Sequence, residues 1–169
     1  MKKLFTFIII TLLFFAIFGQ CEAQSRECVV QAYTSQLGVR EATGHNDGAD
    51  VEKYLSTTGL GKGFAWCAAF VNWAHQQCGY SGPRAAAAWS PAWFPTSKLV
   101  THPQQGDVFG IYFASKKRIA HVGFIDRWEG NKAYTVEGNT NEAGSREGDG
   151  VYRKIRLQSQ IYQVARWIN

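Results

Sequence analysis

An α+β fold is predicted by three observations on this 169-residue chain. Apolar residues recur at helical spacing through its first half. From Gly106 the pattern changes to short strand-like runs. The connections between those runs are short, which requires an antiparallel sheet. N-terminal helices packed on that sheet, as one domain, is the architecture expected.

The extreme N-terminus stands apart. Lys2 and Lys3 precede an apolar run from Leu4 to Phe18, and Ala23 follows Cys21-Glu22. Small residues at the −3 and −1 positions of a cut after Ala23 make residues 1–23 a secretory signal peptide. The run is shorter than the roughly 20 residues of a membrane-spanning helix. Cys21 leaves a lipidated N-terminus as the alternative, against which Gln20 counts. A domain of residues 24–169, exported to the periplasm or beyond and without stable membrane insertion after cleavage, is the expectation.

The first helix is expected over Glu27 to Leu37, with Val29, Val30, Tyr33 and Leu37 on its apolar face and Gly38 as its stop. A polar loop, Arg40 to Gly48, follows. Asp47 is the candidate cap of a short helix carrying Val51, Tyr54 and Leu55, stopped at Gly59. Beyond a glycine-rich loop, Trp66 to Gln77 is apolar around most of its circumference, so this third helix should be buried. Ala85 to Phe94 is rich in Ala and Trp, and Pro91 is placed to open a short helix. Strands are expected at Asp107 to Phe113, His121 to Trp128, Ala133 to Glu137, Val151 to Leu157 and Gln163 to Ile168. Glu129-Gly130-Asn131-Lys132 is turn chemistry.

The formal net charge is +5. Loss of residues 1–23 removes two lysines and one glutamate and leaves the domain mildly basic, which suits an anionic envelope polymer. No basic run forms a nucleic-acid patch. Three of the four cysteines lie beyond Ala23: Cys28, Cys67 and Cys78. An odd count points to one pair and one free thiol. If the first and third helices pack antiparallel, with the Arg40–Gly48 loop near Cys67, then Cys28 and Cys78 meet at the far end. A disulfide between them is expected, as export allows.

Cys67 is then free at a helix start, where the helix dipole favours a thiolate. A thiolate nucleophile needs an imidazole and a group that orients the ring. His121 begins one strand, and Glu137 and Asn139 end the next. His45, His75 and His102 are rivals: His45 and His102 lie in loops, and His75 is two turns along from Cys67. The two strands place His121 and Glu137 on one face only if paired residue numbers add to an even total. An odd-length turn, or a bulge at Gly130, is therefore expected. Cys67, His75 and Cys78 do not have zinc-ligand spacing. Cys-x-x-Cys is absent, which disfavours thiol redox chemistry. No metal or cofactor is expected. Trp66, beside Cys67, is a candidate substrate contact; Trp89 and Trp93 also have rings able to stack on sugars, whereas Trp73, which shares the helix with Phe70 and Val71, is expected in the core.

Trp66-Cys67-Ala68-Ala69-Phe70-Val71-Asn72, Gly106-Asp107-Val108, Ala120-His121-Val122-Gly123 and Val136-Glu137-Gly138-Asn139 occur in that order. The set resembles the cysteine- and histidine-dependent amidohydrolase/peptidase (CHAP) domain. Gly38-Val39-Arg40-Glu41 and Val51-Glu52-Lys53-Tyr54-Leu55 resemble a bacterial branch of it. The resemblance runs from about Val30 to Ile168. It implies a papain-like fold, a monomer acting on peptidoglycan, and Cys67, His121, Glu137 and Asn139 as the four active-site positions. The bond implied is either the amide joining glycan to stem peptide or one within the peptides. A wall-binding module of the same fold, without turnover, is the alternative.

Overall fold

Three helices precede five strands in the computed structural model, which describes residues 24–142 and 148–168. The expected signal peptide, Cys21 included, lies outside the described residues. Helix α1 is Gln24–Thr34, α2 is Ala49–Ser56 and α3 is Cys67–Gln77. α1 ends at Thr34 rather than Leu37. The Thr34 hydroxyl donates to the Val30 carbonyl at 2.7 Å, a local bond that competes with helix continuation. Asp47 does not cap α2. Its carboxylate accepts from the Thr43 N–H at 2.9 Å and the Thr43 hydroxyl at 2.7 Å. Gly48 takes the cap position at φ 105 with no side-chain bond. α3 is buried at every residue from Cys67 to His75, as its apolar circumference requires.

Pro91 opens a short 3-10 turn, Ser90–Trp93, in the Ala- and Trp-rich stretch. The strands are β1, Val108–Phe113; β2, Arg118–Glu129; β3, Lys132–Thr140; β4, Gly150–Leu157; and β5, Gln163–Ala165. They form one antiparallel sheet in the order β4-β3-β2-β1-β5. β2 and β3 are longer than the sequence pattern indicates, and β5 is shorter.

The helices cover one face of the sheet. Phe124 of β2 stacks on Tyr33 of α1 with centroids 4.5 Å apart and meets Phe70 of α3 edge-on at 6.0 Å. Phe109, Ile125, Ala133 and Val164 make a separate, smaller cluster. Strand alternation puts Ile125 on the opposite face from Phe124. Cys28 and Cys78 form a disulfide with Cα atoms 5.9 Å apart, tying the start of α1 to the end of α3 as the antiparallel packing anticipates. Among the described residues no helix is long and apolar enough to cross a membrane.

The register of β2 and β3 departs from expectation in its device. Glu129 pairs with Lys132, so the turn is the even, two-residue Gly130-Asn131 with Gly130 at φ 51. Short hairpin turns with positive φ match strand twist. Paired numbers therefore add to an odd total through Arg127↔Tyr134. Between Arg127 and Ile125 the register slips, leaving Asp126 as a bulge, and from Ile125↔Thr135 the total is even. The parity that joins His121 to Glu137 is set in mid-strand, not at Gly130. The bulged Asp126 side chain is engaged: it accepts from Arg153 at 2.6 Å and from the Tyr33 hydroxyl at 3.2 Å.

Candidate active site

Two bulges on β2 frame the site. The first falls at Ala120, between the pairs Ile111↔His121 and Tyr112↔Ile119; the second is Asp126. Bulges re-aim side chains and recur beside reactive centres. Between them His121, Gly123 and Ile125 share one face. Continuing the even register places Gly123 across from Glu137. A Cβ on Gly123 would lie 2.9 Å from the Val136 carbonyl oxygen and 3.0 Å from Glu137 Cγ. The absent side chain is the space that Glu137 occupies.

Glu137 is fully buried and each carboxylate oxygen is satisfied twice. Oε2 accepts from His121 Nε2 at 2.8 Å and from Arg156 Nη2 at 2.5 Å. Oε1 accepts from the Thr135 hydroxyl at 2.6 Å and Arg156 Nε at 2.8 Å. Burial pushes the carboxyl up, but Arg156 and His121 reverse this and hold it well below the usual range.

With Nε2 committed to Glu137, Nδ1 is the ring nitrogen left for Cys67, and ring and thiol each shift the other's titration. Burial pushes the His121 ring down. Hydrogen bonds and charge from Cys67 and Glu137 outweigh it and raise the ring to about 9. Burial pushes the Cys67 thiol up. The His121 bond and charge, the Val122 backbone N–H and the Ser90 hydroxyl outweigh it and leave the thiol below its ordinary value. The pair is thus set toward thiolate and imidazolium. Cys67 is the first residue of α3, where backbone N–H groups lack intrahelical acceptors and the dipole favours an anion. The opening to solvent is narrow: Cys67 is 6 % exposed and the His121 side chain 12 %.

Asn139 stands apart from this chain of contacts. It sits where β3 gains a residue against β4, between Glu137↔Tyr152 and Thr140↔Gly150, at φ 54, a conformation asparagine tolerates better than most residues. The turn carries its amide to Asn46 Oδ1 at 2.9 Å and Glu41 Oε1 at 3.4 Å. It makes no hydrogen bond to His121, whose partner is Glu137. Glu41 also accepts from the Asn46 N–H at 2.9 Å and from Trp66 Nε1 at 2.8 Å, so the polar loop before α2 does fold beside the site.

Trp66 corrects the sequence reading. It is fully buried, tilted against Tyr54 and edge-on to Phe70. A Cβ on Gly138 would come within 2.7 Å of its ring. Its one polar atom is spent on Glu41, so it presents no face to a ligand; it is a core residue. Trp73 and Trp93 are buried too, whereas Trp89 is 50 % exposed with the Arg118 guanidinium 4.1 Å from its ring centroid. Of the rival histidines, His45 and His102 are exposed and His75 is buried among Trp93, Tyr80 and Phe124. A groove of about 470 Å³ lined by Leu99, Trp128, Ile161 and Tyr162 contains none of the residues around Cys67.

Sequence reasoning missed Arg156 and Ser90. Arg156 lies near the end of a strand that also carries Arg153 and Lys154 and is indistinguishable there from a solvated cation. Ser90 lies in a stretch that periodicity left unassigned; Pro91 after it was the available signal.

Residues 59–139 match the family model of the CHAP domain. Among solved structures the chain is similar to an NlpC/P60 family protein from Bacillus cereus. The TM-score is 0.52 at 14 % identity, over 85 % of this chain and 40 % of that one. It is also similar to a Staphylococcus aureus protein described as similar to lipoprotein, of the NLP/P60 family. There the TM-score is 0.49 at 16 % identity, over 86 % of this chain and 42 % of that one. The chain thus spans about two-fifths of the length of these solved relatives. No curated protein matches its sequence.

Proposed function

We propose, on the premise that residues 59–139 of this chain are a CHAP domain, that it is an exported cysteine hydrolase cleaving amide bonds of peptidoglycan. The target is either the amide between muramoyl glycan and stem peptide or a bond within the stem or cross-bridge peptides. The observation that carries the reading is the connected line Cys67–His121–Glu137, with sulfur and imidazole biased toward their ions. The Cys28–Cys78 disulfide supports an oxidising compartment. The NlpC/P60 relatives support the fold.

Each residue's part follows from its position. The Cys67 thiolate attacks the amide carbonyl carbon, and a tetrahedral oxyanion forms. The backbone N–H of Cys67, free at the start of α3, is the donor placed for that oxyanion. His121 gives its Nδ1 proton to the leaving amine as the C–N bond breaks, leaving a thioester on Cys67. The neutral ring then takes a proton from water, whose oxygen displaces sulfur and releases the carboxylic acid. Glu137 holds Nε2–H, and with it the ring's tautomer and angle. It stays ionised because Arg156 and Thr135 satisfy it. Asn139 acts on the site's rim through Asn46 and Glu41.

Purified peptidoglycan tests this. The protein should release soluble fragments whose masses identify the bond cut, and Cys67→Ala should release none while still binding the wall. Equal release by Cys67→Ala would refute the hydrolase reading. Wall binding with no release by either form would make the chain a binding module.

A further inference from the structure

We propose that Ser90 is a positioning residue for the Cys67 thiolate, its hydroxyl donating to Sγ. The inference rests on the reading of Cys67 as a nucleophile. Ser90 Oγ lies 3.8 Å from Cys67 Sγ, and Ser90 is only 6 % exposed. Among the described residues that hydroxyl makes no other hydrogen bond. A buried hydroxyl without a partner is costly. A neutral thiol is a weak acceptor and a thiolate a strong one. The fold therefore gives the hydroxyl a reason to favour the ion.

The short turn that carries Ser90 is fixed from beneath. Trp93, three residues on, is fully buried, donates Nε1 to the Ala87 carbonyl at 3.0 Å and packs on Trp167 and His75. Pro91 fixes the first step of the turn. Ser90 is thus held by packing, not by the sulfur, which is what a positioning group needs. The groups facing Sγ can be named element by element. β2 brings the charged His121 and the Val122 N–H. β3 and β4 bring Glu137 and Arg156, which act through His121. α3 brings its own N-terminus. The Ser90 turn brings a neutral donor.

A neutral donor to sulfur has a signature that a packing role lacks. It stabilises the thiolate both beside imidazolium and beside neutral imidazole. Its loss therefore moves the acid inflection of thiolate formation and leaves the alkaline inflection, set by His121, in place. The experiment is the pH dependence of Cys67 alkylation by iodoacetamide in the intact protein, with thiolate absorbance as a second readout. Ser90→Ala should raise the acid inflection by about one pH unit, a roughly tenfold slower alkylation below it. The alkaline inflection should not move, and Ser90→Thr should restore the wild-type profile. An acid inflection unchanged in Ser90→Ala, or both inflections moving together, would overturn the proposal. So would a shift that Ser90→Thr fails to rescue. Alkylation needs no peptidoglycan, so a protein that never cuts the wall would refute the hydrolase reading and leave this test standing.

Discussion

Arg156→Met puts the buried carboxylate at the centre of the site to the test. Glu137 has no solvent contact, and Arg156 supplies two of its four hydrogen bonds, at 2.8 and 2.5 Å. The Arg156 side chain is 20 % exposed, so solvent screens the pair weakly. Methionine fills similar volume without charge. It leaves an ionised carboxylate facing His121 and Thr135 alone. Removing one partner of a buried pair costs about 3–5 kcal/mol. That is a fifth or more of a total stability of roughly 5–15 kcal/mol. The loss also has a pH signature. In the wild type the Glu137 carboxyl is held below 4.5. Its contribution is present above that value and is lost as pH falls through the folded-state value. In Arg156→Met burial regains weight and the carboxyl rises, so the variant is penalised where the group must ionise. The stability gap between the two proteins should be widest near neutral pH and should narrow toward pH 4. Urea unfolding of both proteins across that range measures it. A gap below about 1 kcal/mol, or one that does not change with pH, would refute the assignment of Arg156 as the counter-charge of Glu137.

Two further outcomes follow from the scaffold. Replacing Cys28 and Cys78 by Ala opens a closed loop with a sequence separation of 50. On the chain-entropy account this costs about 4 kcal/mol. Denaturant unfolding without reductant checks it, and a loss under about 1 kcal/mol would show that the unfolded chain is not what the bridge restrains. His75 is fully buried, with Nδ1 at 2.8 Å from the Val71 carbonyl oxygen and Nε2 without a partner among the described residues. Burial lowers its ring to about 4 from 6.5. The unfolded chain therefore binds the proton first. Stability is full above pH 6.5 and falls by about 3 kcal/mol as pH drops through 6.5 to 4. His75→Phe should lose less stability than the wild type over that interval; identical slopes would sink the explanation.

The candidate site was legible in the sequence to an unusual depth in its chain order and less so in its contacts. Cys67 at a helix start, His121 on one strand and Glu137 on the next can be read because each depends on local pattern: helical period, strand alternation, turn residues. The Cys28–Cys78 bridge could be argued because antiparallel helices with a known loop between them leave few places for their far ends. Trp66 was misjudged because adjacency to Cys67 in sequence says nothing of direction. One residue along, on the other side of the chain, the ring enters the core. Asn139 was grouped with Glu137 because both stand at the end of one expected strand and match the family's site positions; the bulge that follows Glu137 turns Asn139 toward Asn46 and Glu41 instead.

The sequence by itself determined the α+β class, the buried third helix, the antiparallel hairpin and the chain order of a helix-start Cys67, a strand His121 and an orienting group at Glu137 or Asn139. These follow from local periodicity and from which residue types carry the chemistry. The tertiary structure decided where the strand parity is corrected, that Glu137 rather than Asn139 meets the imidazole, and that Arg156 and Ser90 complete the electrostatics. Those outcomes depend on which distant segments are pressed together. A bulge, a reach of a long side chain across two strands and a hydroxyl turned toward sulfur are settled by packing, and no local pattern encodes them.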